Sequence, residues 1–381
     1  MNRHGWTYKK LGDVAVIAGG STPKTNNPSF WGGSHYWVTP AELGDFVYIN
    51  KTERTITDEA LTKTNLTLLP IGTVLLSSRA PIGKTAITTV PMYCNQGFKN
   101  IICSKVLNNK FVYYYINRIV PKLQSLGRGA TFKEISKSIV ENTQVPVPPM
   151  AEQEAIVAEL DEINEAIAEM QQQIADLDTL AQSTFYDMFG DPVTNPKGWE
   201  VKKLGEVTHY SSSRVSASSL NPSNYVGVDN LLKDKQGKID ASFYPTDGNV
   251  TAYREGDTLL GNIRPYLKKI WFANYDGGAS GDVLVIQVND EIKPQIHQFF
   301  IFYTLSLDTF FDFDMLHSKG AKMPRGSKPE IMKFPICIPP LSLQQEFVEI
   351  FEAIEKAKAE LNAQIAEMQT LLASRMDYYF D

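Results

Sequence analysis

The sequence predicts an α/β (α+β) chain in which two pseudo-repeated globular domains are separated by two long helices, paired as an antiparallel coiled coil. Three observations lead there: an internal duplication, two heptad seams free of proline and glycine, and a charge balance that changes sign between segments. At 381 residues and 43% apolar composition, the chain has room for about two or three domains with real cores.

The duplication begins at GWTYKKLGDV (Gly5–Val14), which recurs as GWEVKKLGEV (Gly198–Val207), identical at seven of ten positions. Gly72-Thr-Val-Leu-Leu76 is echoed by Gly256-Asp-Thr-Leu-Leu260, and at the same offset Pro81, Lys84 and Gly97 meet Pro265, Lys268 and Gly281. Further on, Gly129-Ala130, Ser136-Lys137 and Pro148-Pro149 meet Gly320-Ala321, Ser327-Lys328 and Pro339-Pro340. Gln153-Glu154 falls against Gln345-Glu346, and Leu180, Ser183 and Phe189 against Leu371, Ser374 and Phe380. Five echoes in collinear order mean a tandem repeat. The expected organisation is a globular domain over 1–149, a helix over 150–190, a second domain over 191–340 and a second helix over 341–381.

Within each globular part, Thr73–Leu76 and Asp282–Val288 read as strands, and Phe111–Ile119 and Gln298–Leu305 as helices. Pro149 and Pro340 suit a first helical turn, where a missing N–H costs little. From Met150 to Phe189 the apolar residues Ile156, Leu160, Ile163, Ile167, Met170, Ile174, Leu177 and Ala181 alternate at spacings of 4 and 3, a coiled-coil seam. The second helix repeats it with Leu343, Phe347, Ile350, Ile354, Ala357, Leu361, Gln364, Met368 and Leu371, with Gln364 as a buried polar interruption that sets register. Antiparallel pairing fits, because the chain must return through a whole domain before the second helix starts. Forty residues make a rod of about 60 Å.

The net charge of −6 argues, taken whole, against a nucleic-acid binder. Divided by segment it reads differently. Residues 1–149 hold 17 Lys and Arg against 8 acids, a net of +9; residues 150–190 hold no base and 10 acids; residues 191–340 hold 17 of each; residues 341–381 hold 3 against 8. Acid lies on the helices, as expected of a surface that docks protein, and base on the first globular domain. The three cysteines form no CxxC, no apolar leader precedes the first domain, and the longest apolar run, around Phe299–Leu307, is closed by Asp308. A reducing cytoplasm and no membrane association are expected.

Residue types that grip and read DNA gather at matching places in the two repeats. In the first they are Lys24, Ser77, Ser78, Arg79, Lys84, Gln96, Lys99, Arg128 and Lys133; in the second, Asn262, Arg264, Tyr266, Lys268, Lys319, Lys322 and Arg325. Arg pairs bidentately with guanine, Asn or Gln with adenine, and Lys neutralises phosphate. The loop Gly19–Lys24 lacks the phosphate-loop pattern and reads mainly as a turn. Catalytic signals are thin. His4, His35, His209, His297 and His317 are scattered, no GxGxxG or Asn/Asp-Pro-Pro-Tyr occurs, and Asp282 with Glu291 and Lys293 fits the D…ExK nuclease spacing only loosely. No catalytic residue and no metal ligand is therefore expected.

Trp6-x-x-Lys-Lys-Leu-Gly12, Gly19-Gly-Ser-Thr-Pro23, Phe30-Trp-Gly-Gly33, Trp37-Val-Thr-Pro-Ala-Glu-Leu43, Val145-Pro-Val-Pro-Pro-Met-Ala-Glu-Gln153, Ile338-Pro-Pro-Leu341 with Gln344-Gln345, and the two Leu-x-x-Ser-x-x-x-x-x-Phe tails occur in one collinear set. With the duplicated domains and helices, this set resembles the specificity subunit of type I restriction–modification systems over nearly the whole chain; Leu343 departs from the family's usual Glu. The resemblance implies that each globular repeat is a target-recognition domain reading one half of a bipartite double-stranded DNA target. It implies that the helices set the spacing and dock two modification (methyltransferase) subunits, and that two restriction (endonuclease and translocase) subunits join. S-adenosylmethionine, ATP and Mg²⁺ would then belong to partner subunits, and this chain would be the non-catalytic reader. A stand-alone DNA-binding protein and a metal-dependent nuclease are the alternatives.

Overall fold

The computed structural model describes residues 5–79, 81–129 and 133–381, so His4, Ala80 and Ala130 lie outside the described residues. Five helices of nine residues or more occur among these: α1 (Asn109–Leu126), α2 (Met150–Phe189), α3 (Gln298–Ser306), α4 (Asp308–His317) and α5 (Leu341–Phe380). The chain forms two compact units. The first runs up to Gln172 and includes Asn362–Asp381; the second is Gln173–Leu361. Each unit thus holds part of α2 and part of α5.

The first unit opens on an antiparallel ribbon, Thr7–Lys10 against Gln144–Val147, with Thr7 opposite Val147. A five-stranded sheet follows in the order Ala15–Gly19, Lys99–Cys103, Val74–Leu76, Thr85–Thr88, Tyr48–Ile49, and a three-stranded sheet pairs Arg54–Ile56, Trp31–Val38 and Tyr93–Cys94. Val74, Leu76 and Ile101 from the larger sheet meet Phe111, Val112 and Ile116 from α1 in one core, which Ile156, Leu160 and Phe380 complete. Each such side chain, fully buried, contributes about 1.5–3 kcal/mol. Helix α1 runs further than the expected Phe111–Ile119. It passes Pro121, which forfeits one backbone hydrogen bond, and is held beyond it by the buried Leu123.

The second unit repeats the plan. Its ribbon pairs Glu200–Lys203 with Pro335–Ile338, with Glu200 opposite Ile338. One four-stranded sheet has the order Thr208–Tyr210, Val283–Val288, Thr258–Gly261, Ile270–Phe272, and another the order Arg214–Ser216, Asn249–Tyr253, Gly277–Ala279, Tyr225–Val226. Here the helix corresponding to α1 is broken into α3 and α4 at Leu307, whose backbone is extended.

Both long helices start one residue after their proline pair, and the Pro149 and Pro340 carbonyls accept the N–H of Gln153 and Gln344. Those two glutamines are fully buried. The Gln153 amide donates to the carbonyls of Val106 and Pro148 (both 2.9 Å) and accepts from the Asn108 N–H (2.8 Å). Gln344 donates to Gln295 (2.9 Å) and Pro339 (2.8 Å) and accepts from the His297 N–H (2.9 Å). The structural partner of Gln153 is therefore Gln344, not the Gln345 expected from the Gln-Glu echo. The proline pairs already fixed that offset.

The helices run antiparallel within each unit. In the first, the Glu159 carboxylate accepts from Arg375 and from the Tyr379 hydroxyl (2.5 Å), and Arg118 of α1 pairs with Asp377 (2.7 Å) and Asp381. In the second, Lys358 pairs with Asp178 (2.6 Å). The expected seam is buried at Ile156, Leu160, Ile163 and Ile167, then half-buried at Met170, Ile174 and Leu177. Phe185 and Phe189 extend it, packing with Phe300, Tyr303 and Phe347. In α5, Phe347 and Ile354 are buried and Ile350, Leu361 and Met368 half-buried. Gln364, however, is exposed and Ile365 is buried in its place; likewise Leu371 is exposed and Leu372 half-buried. A helix of 3.6 residues per turn drifts against a strict heptad, so the inward face moves on by one residue.

Candidate nucleic-acid interface

In the first unit the chain turns back on itself after Val74–Leu76. The Ser77 hydroxyl donates to the Pro81 carbonyl (2.7 Å) and accepts from the Lys84 N–H (2.8 Å), a staple across the turn. The Ser78 N–H donates to the Gly97 carbonyl (2.7 Å), and the Ser78 carbonyl accepts from Ile135 (3.0 Å). These bonds gather three separate stretches, around 77–79, 95–97 and 133–135. Arg79 and Arg128 both bridge Glu134 through their backbones. Thr22 donates to the Gln96 side chain, which ties in the loop carrying Lys24. Lys24, Gln96, Arg128 and Lys133 are exposed and Arg79 is half-exposed.

Four residues expected at DNA serve the protein instead. Ser77 and Ser78 are fully buried. The Lys99 ammonium, its side chain only 15% exposed, pairs with Glu134 and the Ser78 hydroxyl, both at 3.3 Å. The Lys84 ammonium donates to the Leu43 carbonyl (2.7 Å). A cation drawn into the protein must find acceptors there, which leaves it unavailable to phosphate.

The second unit builds the same junction with other side chains. The Asn262 N–H donates to the Asp282 carbonyl (2.9 Å), and the Asn262 carbonyl accepts from Gly326 (3.1 Å). Ile263 and Lys319 bridge Arg325 as Arg79 and Arg128 bridge Glu134. An arginine thus stands where the first unit has a glutamate. Its guanidinium lies 3.2 Å from Asp282 and is more than half exposed. Arg264, Tyr266, Lys319 and Lys322 are also exposed. A cavity of about 440 Å³ opens beside them, lined by Arg264, Asp229, Asp282, Phe243 and Met323 among others. Two expectations fail. Asn262 is buried, with its side-chain oxygen facing Gly326 rather than exposed as a base contact would be. Lys268 is bound to Asp308 at 2.9 Å.

Beneath this junction Asp314 of α4 is fully buried, and neither carboxylate oxygen finds a hydrogen-bond donor among the described residues. Burial pushes its pKa up to about 6, with a smaller opposing pull from His317. The sequence signal was available: at the offset of 191 that aligns the proline pairs, Asp314 falls opposite Leu123.

The nuclease constellation does not assemble. Asp282 precedes the strand Val283–Val288 and Glu291 follows it, a separation of about 20 Å. Lys293 pairs with Asp290 (2.6 Å). Among the described residues no three His, Cys, Asp or Glu side chains converge as a metal site. His35 bonds Asp58, His209 bonds Asn289, His297 caps α3 and His317 contacts the Phe313 carbonyl, each a structural use. No helix among the described residues is long and apolar enough to cross a membrane.

Comparison with known proteins gives a consistent picture. The family model described as the type I restriction modification DNA specificity domain matches residues 3–179 and again 196–368. The type I restriction enzyme MjaIX specificity subunit of Methanocaldococcus jannaschii is 35% identical over 226 residues, covering 54% of this chain. The match spans 52% of that relative, about half its length. A chain from the complex assembly and conformational transition of a type I R-M system shares the fold with a TM-score of 0.58, at 18% identity, over 99% of this chain and 98% of that one. The type I restriction-modification S subunit from M. genitalium does so with a TM-score of 0.54, at 13% identity, over 100% and 97%.

Proposed function

The chain belongs to the family of type I restriction–modification DNA specificity domains, and from that premise we propose that it is the DNA-reading subunit of such a system. Each unit reads one half of a bipartite double-stranded target in the major groove. The observation that carries this is the bridged junction found in both units, which gathers distant loops and leaves Lys24, Arg79, Gln96, Arg128 and Lys133 in one, and Arg264, Tyr266, Lys319, Lys322 and Arg325 in the other, at or near the surface. Arginines and Gln96 suit base edges; the lysines suit phosphate.

In this reading the helices set the spacing between half-sites. Their exposed acids, Glu162, Glu165 and Glu169 of α2 and Glu346, Glu349, Glu360 and Glu367 of α5, face two modification subunits, and two restriction subunits complete the assembly. The chain itself is non-catalytic, and S-adenosylmethionine, ATP and Mg²⁺ act on the partners. What supports this reading is the match of both halves of the chain to the DNA specificity domain family. The test is binding to duplexes randomised one half at a time. Arg79→Ala is expected to relax preference in one half and Arg264→Ala in the other. Uniform weakening across all sequences identifies a phosphate contact instead. Insertion of one heptad in each helix, about 10 Å, is expected to lengthen the unread spacer by about 3 bp. An unchanged spacer removes the ruler role.

A further inference from the structure

We propose that Asp308 is a positioning residue for Arg264: its carboxylate holds in place the left-handed turn that aims the arginine. This rests on the reading of Arg264 as a base contact.

Five residues other than glycine have positive φ among those described, and four of them lie in one pair of loops: Asp234 (55°), Lys235 (64°), Arg264 (53°) and Lys268 (49°). A side chain rarely adopts this conformation, so the surroundings must enforce it; such strain gathers where geometry matters to function. Arg264 and Lys268 flank the short turn Pro265–Leu267. Backbone bonds define its shape. Leu267 donates to Arg264 (2.9 Å), Lys268 to Pro265 (2.8 Å), Asp234 to Leu267 (2.9 Å), Lys235 to Lys268 (2.9 Å), and Arg264 to Pro324 (2.7 Å). One side chain then ties both strained loops to a helix. Asp308 Oδ1 accepts from Lys235 Nζ at 3.0 Å and from Lys268 Nζ at 2.9 Å.

Asp308 can do this because the helix is broken at Leu307. It is the first residue of α4, where the helix dipole favours a negative charge. The hydrogen bond from Lys268, then that from Lys235, hold its carboxyl below the usual carboxylate range. In the first unit α1 is unbroken, and the residue at the same offset, Asn117, accepts from the Thr85 hydroxyl (2.7 Å) instead. The strut therefore belongs to the second unit's own reading loop rather than to the shared frame. Neutralising it has two opposite effects. The turn is released, so Arg264 loses its aim, while two ammonium groups are freed toward solvent and can meet phosphate.

The experiment titrates the full chain, as native protein, Asp308→Asn, Asp308→Glu, Arg264→Ala and the Lys235→Met/Lys268→Met pair, onto duplex libraries randomised in one half-site at a time, at several salt concentrations. Arg264→Ala is expected to lose about tenfold discrimination at one base position. Asp308→Asn is expected to lose at least about threefold at that same position, to leave the other half-site unchanged, and to steepen the salt dependence, with Asp308→Glu restoring the native pattern. The double lysine variant loses the same discrimination without the steeper salt slope, and stands in if Asp308→Asn does not fold. Native discrimination in Asp308→Asn or in the lysine pair, while Arg264→Ala loses it, overturns the strut. Loss in both half-sites together with a lowered melting temperature also overturns it, as a general structural role. Native discrimination in Arg264→Ala removes the underlying reading, and the proposal with it.

Discussion

In the first unit a buried glutamine, Gln153, ties the start of α2 to Val106, Asn108 and Pro148; in the second, Gln344 ties the start of α5 to Gln295, His297 and Pro339. A few residues away the likeness ends. Glu134 in one junction is Arg325 in the other, Leu123 becomes Asp314, and one helix becomes two. The frame has been kept to the level of single hydrogen bonds while the loops it carries have changed charge and shape. That is the pattern expected of a scaffold on which recognition can vary without refolding the chain.

The strongest way to break this comparison is at the glutamines. Gln153→Leu and Gln344→Leu each strand a buried N–H and two carbonyls, and each is expected to destabilise its own unit by about 2–4 kcal/mol in denaturant unfolding. Markedly unequal losses would show that the two locks are not equivalent. Next comes Asp314. Its folded pKa of about 6 lies above the unfolded value near 3.8, so the folded state binds the extra proton. Stability from this group is therefore greatest below about pH 4 and is lost as pH rises through 6, by about 3 kcal/mol. Asp314→Leu, which copies the first unit, is expected to raise the melting temperature at pH 7.5 and to flatten the change between pH 4 and 7. An unaltered pH profile would mean the carboxyl is satisfied.

A smaller effect sharpens the electrostatic contrast. Removing Lys24 or Lys133 is expected to lower the salt slope of DNA binding by about one each, as for lost phosphate contacts. Smallest is the Arg325–Asp282 pair. It is largely exposed, so Arg325→Ala is expected to change folding stability by less than about 1 kcal/mol. Any larger loss in DNA affinity would then mark Arg325 as a contact rather than a brace.

The frame was legible in the sequence because repetition and periodicity are local signals. The duplicated domain starts follow from Gly5–Val14 and its copy, and the 40-residue helices from unbroken heptads between a proline pair and a terminal phenylalanine. The junction was legible only in part. Spacing set these loops at matching places in the two repeats but could not show that Ser77 folds back on Pro81, that Lys99 finds Glu134, or that Lys268 finds Asp308, since those partners lie 4, 35 and 40 residues away. The slip from Gln364 to Ile365 has another origin, the difference between a 3.5 and a 3.6 residue repeat accumulated over several turns.

Phe380 is buried in the core of the first unit, against Phe111 and Tyr115. During synthesis, then, the first domain to emerge is the last to be finished. All residues of the second unit have been made once residue 361 is added, while the earlier unit waits, with part of its core unfilled, for residues 362–381. At about 5–20 residues per second, that wait lasts on the order of ten seconds or more, during which exposed apolar surface invites chaperones. A stop ahead of residues 362–381 would accordingly damage the unit that was made first.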